Sequence, residues 1–241
     1  MAIADRKHRE RLQRKLLFIE HADMLLRQHG YLGLNLDQLA ERVEYSKATL
    51  YNHFVSKEDL VLAVTNWHMQ RREMFFTRAL TFDGRPRERM FVVGVADTIL
   101  AKEAPHSFAL AQFVRTPSIW ERTDPAHQQS FFQHSEQCIR VALEVIRQGR
   151  GSGDLPVEAP ANEQILAGLV SLAKGAHLLA DDPIPAFEAA GIHPTGSLFA
   201  NYHLFLDGAQ WKPLSSCWDY ADTLNRIERE AFPHDAHVLH E

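Results

Sequence analysis

The stretch 36–64, LDQLAERVEYSKATLYNHFVSKEDLVLAV, decides how this chain folds. Leu36, Leu39 and Ala40 recur at helical steps, and Asn35 stands before them as an N-cap with Gln38 three residues on, so a short helix is predicted over 36–43. Ser46 opens a second short helix with Thr49 at its third position and Leu50 and Phe54 four apart on one face. Ser56 caps a third, in which Lys-Glu-Asp precedes Leu60, Val61, Ala63 and Val64; this helix is predicted to run to about residue 82. Two short helices with a tight link, the second amphipathic and small or polar at its start, suit a helix-turn-helix that enters the major groove of DNA. Lys47, Ala48 and Thr49 occupy that entering turn, and Tyr51, Asn52 and His53 follow on faces that reach flanking phosphates. Leu50 and Phe54 are expected to lock the helix inward. On spacing alone, a plain helical hairpin in a bundle fits equally well.

Working outward, Leu12, Leu16, Ile19, Ala22, Asp23 and Leu26 mark an upstream helix, with Leu17 and Leu25 widening its stripe. Gly30 is expected to end it by taking the left-handed conformation. Downstream, longer helices are predicted at 86–103, 105–116, 125–149, 160–181, 194–210 and 216–231. Pro86, Pro105, Pro117, Pro125, Pro160, Pro194 and Pro213 sit near their starts or in the gaps, where proline is tolerated. GRGSGDLP at 149–156 is the clearest break. The polar end with His234, His237 and His240 is expected to lack fixed structure. The fold class is all-α: an N-terminal three-helix helix-turn-helix domain over 1–55, then a larger helical ligand-binding and dimerisation domain over 56–241.

Composition bounds the chemistry. Hydrophobic residues make up 45% and charged residues 24% of 241, as in globular proteins generally. Cys138 and Cys217 are too few for a disulfide framework or a structural zinc site, which favours a reducing compartment. The opening MAIADRKHRERLQRK leaves no room for the apolar run of a secretory leader, and no apolar stretch reaches the roughly 20 residues of a membrane helix. A cytoplasmic protein without a membrane partner is expected. The net charge of −5 is unevenly spread. Residues 1–72 carry 12 Lys/Arg against 9 Asp/Glu, the remainder 14 against 22, and residues 1–15 alone six against two. A positive arm before an acidic body is drawn toward phosphates, although a solvated helix start would look the same.

The run 36–64 resembles the DNA-binding motif of the tetracycline-repressor (TetR) family. The likeness lies in Thr49, Leu50, Tyr51, His53 and Phe54 and in the Ser56, Lys57, Glu58, Asp59, Leu60 opening of the next helix; it is strong over 12–64 and only architectural beyond. It implies a transcriptional regulator, a repressor in most readings, with no enzymatic activity and no cofactor. Lys47 and Thr49 would face base edges or nearby phosphates, and Tyr51, His53 and Lys57 would hold the backbone. Asn35 would cap its helix and touch phosphate. With Tyr45, Ser46, Ala48 and Asn52, these make the expected DNA-contacting set. One departure is the turn, Val43-Glu44-Tyr45 where the family usually has Ala-Gly-Val; Glu44 must then take a conformation that costs about 1 kcal/mol without glycine.

A module of this size reads few base pairs, so two copies about 34–36 Å apart on double-stranded operator DNA are expected. The resemblance implies a homodimer built from helices 160–181 and 194–210. Ile165, Leu166, Leu169, Val170, Leu172, Ala173, Ala176 and Leu179 offer an apolar face, and Phe199, Tyr202, Phe205 and Leu206 offer large partners. The same side chains could fill the subunit's own core. The resemblance also implies a small, largely apolar effector. Phe91, Phe108, Phe113, Trp120 and Phe131 are its candidate walls, with Gln112, His134, Gln137 and Cys138 as polar fixtures; an aromatic stripe of this kind equally makes plain core. Control by a protein partner through the same domain is the alternative. No metal spacing is present despite 14 histidines, and no nucleophile elbow, phosphate loop or dinucleotide fingerprint supports an enzyme. Asp181–Asp182 is a carboxylate pair at an expected helix end.

Overall fold

The computed structural model describes residues 2–180, 187 and 189–239, and every regular element among them is helical. The helices are α1 (Ala2–Gly33), α2 (Leu36–Arg42), α3 (Lys47–Tyr51), α4 (Lys57–Thr81), α5 (Pro86–Glu103), α6 (His106–Phe113), α7 (Pro117–Trp120), α8 (Pro125–Gly151), α9 (Asn162–Ala180), α10 (Leu198–Gly208) and α11 (Tyr220–Ala231), followed by a 3-10 turn at Ala236–Leu239. The predicted helices are all present within a few residues. The Asp181–Asp182 pair lies outside the described residues, as does His240. None of the described helices is long and apolar enough to cross a membrane.

Four expectations are corrected. The first helix extends back to Ala2, well before the stripe that marked it, and Leu12 and Leu16 of that stripe are exposed; it is buried only from Phe18 onward. Gly30 does break the helix (φ 65°), but the chain resumes one more helical turn to Gly33. Residues 117–120, read as a gap, form α7, with Pro117 supplying the preset φ of a first helical position. The C-terminal stretch is ordered through Leu239: Phe232 and Ala236 are buried, Arg78 donates to Asp235 Oδ2 at 2.8 Å, and Lys102 donates to Leu239 O at 2.9 Å. Those two interior side chains give a polar tail the apolar anchor that a count of its polar residues conceals.

Backbone contacts divide the chain into two compact units: Met1–Gln70 with Ala109–His134, and Arg71–Phe108 with Ser135–Glu241. In the first, Phe18 is fully buried and forms the hub. Its ring lies 5.8 Å from those of Tyr45 and His53 and 6.3 Å from Phe54, and Leu25, Leu39, Leu50 and Leu60 of the same unit are likewise buried. In the second, α5 packs on α11 and α9 on α10. Close approach there depends on small residues: a Cβ at Gly94 would come within 2.9 Å of Tyr202, and one at Gly168 within 2.2 Å of Phe205. Arg87 is wholly buried, and it is held by Asp207 at 2.6 Å, by the Trp211 carbonyl and by the Tyr220 ring 5.1 Å away. A charge so placed is tolerated because each neighbour is an acceptor or a π face.

Candidate nucleic-acid interface

The helix pair is built by local hydrogen bonds that its sequence encodes. Asn35 takes an extended conformation, and its side chain accepts from the N–H groups of Asp37 (2.8 Å) and Gln38 (3.3 Å), which would otherwise be unpaired at the start of α2. At the other end, Glu44 N–H donates to Glu41 O (3.0 Å) and Tyr45 N–H to Ala40 O (2.9 Å). This double closure is a Schellman motif, and it requires the residue between the two helices to be left-handed. Glu44 occupies that place with φ 59°, as its position in the turn predicts. Ser46 then caps α3, accepting from Thr49 N–H at 3.1 Å, with its hydroxyl 2.9 Å from that of Thr49.

α3 has one inward anchor, Leu50, and Phe54 follows it inward four residues on. The polar edge is left outside. Asn35, Tyr45, Ser46, Lys47, Ala48, Tyr51 and Asn52 are exposed, and Thr49, His53 and Lys57 are half-buried. Tyr51 keeps 46% of its surface in solvent although it follows directly on a fully buried leucine. Lys47 Nζ pairs with Asp37 Oδ1 at 2.8 Å on the outer surface, and this hydrogen bond raises the ammonium pKa. An exposed pair of this kind contributes little to stability. Lys57 Nζ stands 4.5 Å above the Tyr31 ring, and burial lowers its pKa. His53 is pushed down as well, first by burial and then by Arg11, Arg14 and Lys15.

Behind the exposed edge lies a polar network that sequence reasoning missed. Asp59, fully buried in the first turn of α4, accepts from Val55 N–H (3.0 Å), Asp124 N–H (2.9 Å) and His127 Nδ1 (2.7 Å). Lys15 Nζ lies 2.7 Å from the other ring nitrogen of His127. Ser56 donates to Arg122 O at 2.7 Å, and Arg122 pairs with Glu58 at 2.8 Å. The turn leaving α3 is thus tied to the α7–α8 corner within the first unit. The partners stand 65–68 residues apart, beyond the reach of any periodicity; the one available signal was a Ser-x-x-Asp cap, which accounts for Ser56 and Asp59 only with each other.

The expected effector set falls in both units. Gln112, Phe113, Trp120, Phe131 and His134 belong to the first. There Phe113 packs on Tyr31 (4.6 Å) and Trp120 on Phe131 (5.9 Å), while Gln112 is exposed. His134 lines a small cleft with Leu12, Lys15, Leu16, Trp67 and His127. Phe91, Phe108, Gln137 and Cys138 belong to the second. Phe91 is fully enclosed between Phe199, His203 and Tyr220, and Phe108 lies between His177 and the Arg72 guanidinium. Burial pushes the Cys138 thiol up to about 12, which makes it a packing residue rather than a nucleophile.

Residues 18–64 match the family model described as bacterial regulatory proteins, tetR family. The chain is 28% identical over 109 residues to the uncharacterized HTH-type transcriptional regulator Rv0472c of Mycobacterium tuberculosis (strain ATCC 25618 / H37Rv). That match spans 44% of this chain and 46% of the relative, less than half of its length. It is 26% identical over 169 residues to the HTH-type transcriptional repressor AcnR of Corynebacterium diphtheriae, covering 67% of this chain and 82% of that one. Among solved structures, a transcriptional regulator of the TetR/AcrR family from Thermobifida fusca YX-ER1 superposes with a TM-score of 0.64 at 20% identity, over 81% of this chain and 98% of the other.

Proposed function

We propose, from the premise that this chain is a TetR/AcrR-family transcriptional regulator, that it binds a pseudo-palindromic operator as a homodimer and releases it when a small, largely apolar effector binds. The observation that carries the DNA-binding part is the exposed polar edge of α3 set on the buried Leu50. In this reading residues 1–55 form the reading head and 56–241 the sensing and dimerising part. Lys47, Ala48 and Thr49 enter the groove, and Asn35, Tyr45, Ser46, Tyr51, Asn52, His53 and Lys57 engage the duplex around them.

The dimer reading draws support from the outward faces of α9 and α10. Ile165, Leu169, Ala173, Ala176, Tyr202 and Leu206 are spent on the subunit's own core, whereas Val170, Leu178, Leu179 and above all Leu204, 75% exposed, remain outside. Apolar side chains left in water on adjoining helices favour burial against a second copy. The effector reading rests on the aromatic set named above. The first turn of α4 is the proposed lever, because Glu58 and Asp59 join the turn after α3 to the α7–α8 corner. A tenfold loss of operator affinity requires about 1.4 kcal/mol of coupling.

The test is selection of bound duplexes from a random pool, repeated with apolar candidate effectors. Enrichment of a two-fold symmetric sequence, lost on adding one effector, is the expected result. Equal retention of all duplexes would overturn the DNA-reading assignment. Tyr51→Ala is expected to weaken binding across all sequences, while Lys47→Ala and Thr49→Ala also change base preference.

A further inference from the structure

The amino-terminal extension of α1 puts a row of cations beside the reading helix. Lys7, Arg11 and Arg14 follow one another at four- and three-residue steps, so they lie on one face of α1. They line a single open groove with Thr49 of α3 and with Asn52 and His53 at its end. The groove holds one acidic residue, Glu10, and that carboxylate is paired with Arg6 at 3.3 Å. Among the described residues no carboxylate pairs with Lys7, Arg11 or Arg14. Arg14 is instead held with its guanidinium 5.5 Å from the centre of the Tyr45 ring, on the side where α3 begins.

We infer that Lys7, Arg11 and Arg14 form a second contact with the operator: a phosphate-binding track along one strand, next to the groove that α3 enters. The inference rests on the DNA-binding reading and adds a site to it.

Dimensions support the assignment. Seven helical steps, from Lys7 to Arg14, carry the row over about 10 Å. One DNA strand presents a phosphate every 3.4 Å or so along the axis. Three cations on that span match about three consecutive phosphates. Thr49 and Asn52 share the groove, so a strand seated on α1 stays within reach of the reading helix. Merely solvated charges would point in all directions around the helix. Arg6 and Arg9 do lie off this groove, whereas the row of three is gathered into it.

A track of this kind supplies affinity without sequence information. The experiment measures operator affinity against salt for the full chain and for Lys7→Gln/Arg11→Gln/Arg14→Gln. All three side chains lie on a helix surface, and glutamine keeps its helix propensity. The slope of log K against log salt is expected to become shallower by roughly 2–3, about 0.9 for each lost phosphate contact, with the selected base sequence unchanged. Lys7→Arg/Arg11→Lys/Arg14→Lys is expected to restore the parent slope. Hydroxyl-radical footprints of parent and triple variant should differ at the sugars beside the track.

A triple variant with the parent's slope would overturn the inference and leave the DNA-binding reading standing. An altered base preference would also overturn it, by moving these residues into base reading. A parent chain with no salt-dependent operator binding would sink both. Circular dichroism and a melting curve for each variant establish that the comparison is between folded proteins.

Discussion

His127 Nδ1 lies 2.7 Å from Asp59 Oδ1, so the start of α8 is fastened to the first turn of α4 through a carboxylate that solvent does not reach. The imidazole tautomer with its proton on Nδ1 donates to Asp59 and leaves Nε2 to accept from Lys15, 2.7 Å away. One side chain thereby joins three helices of the first unit. Removing Asp59 leaves an imidazole and two backbone N–H groups unmatched in the interior. Asp59→Ala is therefore expected to destabilise the protein by about 3–5 kcal/mol, the range for breaking a buried pair. Urea unfolding of parent and variant measures it, and a loss under about 1 kcal/mol would show that the network is ornamental.

Acid should act through the same group. Burial by itself raises the Asp59 carboxyl, but hydrogen bonds from His127 and from the Asp124 and Val55 N–H groups outweigh it and hold the pKa below the ordinary carboxylate value. Glu58 is likewise lowered: burial opposes, while backbone N–H, the Tyr31 hydroxyl and Arg122 prevail. A carboxyl lowered by folding contributes in full above its unfolded value, near pH 4, and loses that contribution as pH falls through the lower folded value. Stability is expected to decline with acidification below about pH 4, and Asp59→Asn should make that decline shallower. Identical acid limbs in parent and variant would refute the assignment.

Glu44 supplies a prediction of opposite sign. Its left-handed backbone is imposed by the closure of α2 onto Tyr45, and glycine adopts that conformation without a Cβ penalty. Glu44→Gly should stabilise the protein by about 1 kcal/mol, seen as a higher urea midpoint with an unchanged slope. A lower midpoint would mean that the Glu44 side chain makes a contribution larger than its strain.

Leu204 tests the proposed dimer. A side chain 75% exposed contributes little to a subunit's own core, so Leu204→Glu is expected to leave the monomer fold intact. It should place a charge in the proposed interface. At micromolar concentration the parent is expected at twice 27.5 kDa by sedimentation, and the variant at 27.5 kDa. A variant that sediments like the parent would move the interface elsewhere.

The helices of the reading head could be drawn from their residues because the forces that bound them are local. Asn35, Ser46 and Ser56 each satisfy backbone donors within three residues, and Glu44 closes α2 onto a carbonyl three residues earlier. Such bonds leave a mark in the order of the residues. Leu12 and Leu16 belong to the predicted helix yet stay exposed, because a helical stripe records which face is apolar, not whether anything covers it. Residue order is equally silent on which rings meet: Phe91 stacks with Phe199 and Tyr220, and Phe113 packs on Tyr31, partners that no local spacing records.

Sequence alone determined the all-helical class, the reading head and its exposed edge, since each follows from interactions that span no more than a helical turn or two. Tertiary structure decided what Asp59, His127 and Lys15 do together, and where Lys7, Arg11 and Arg14 come to rest beside α3. Those relations join residues separated by tens of positions. A chain carries no local record of them, because distance in space is set only once every helix has packed.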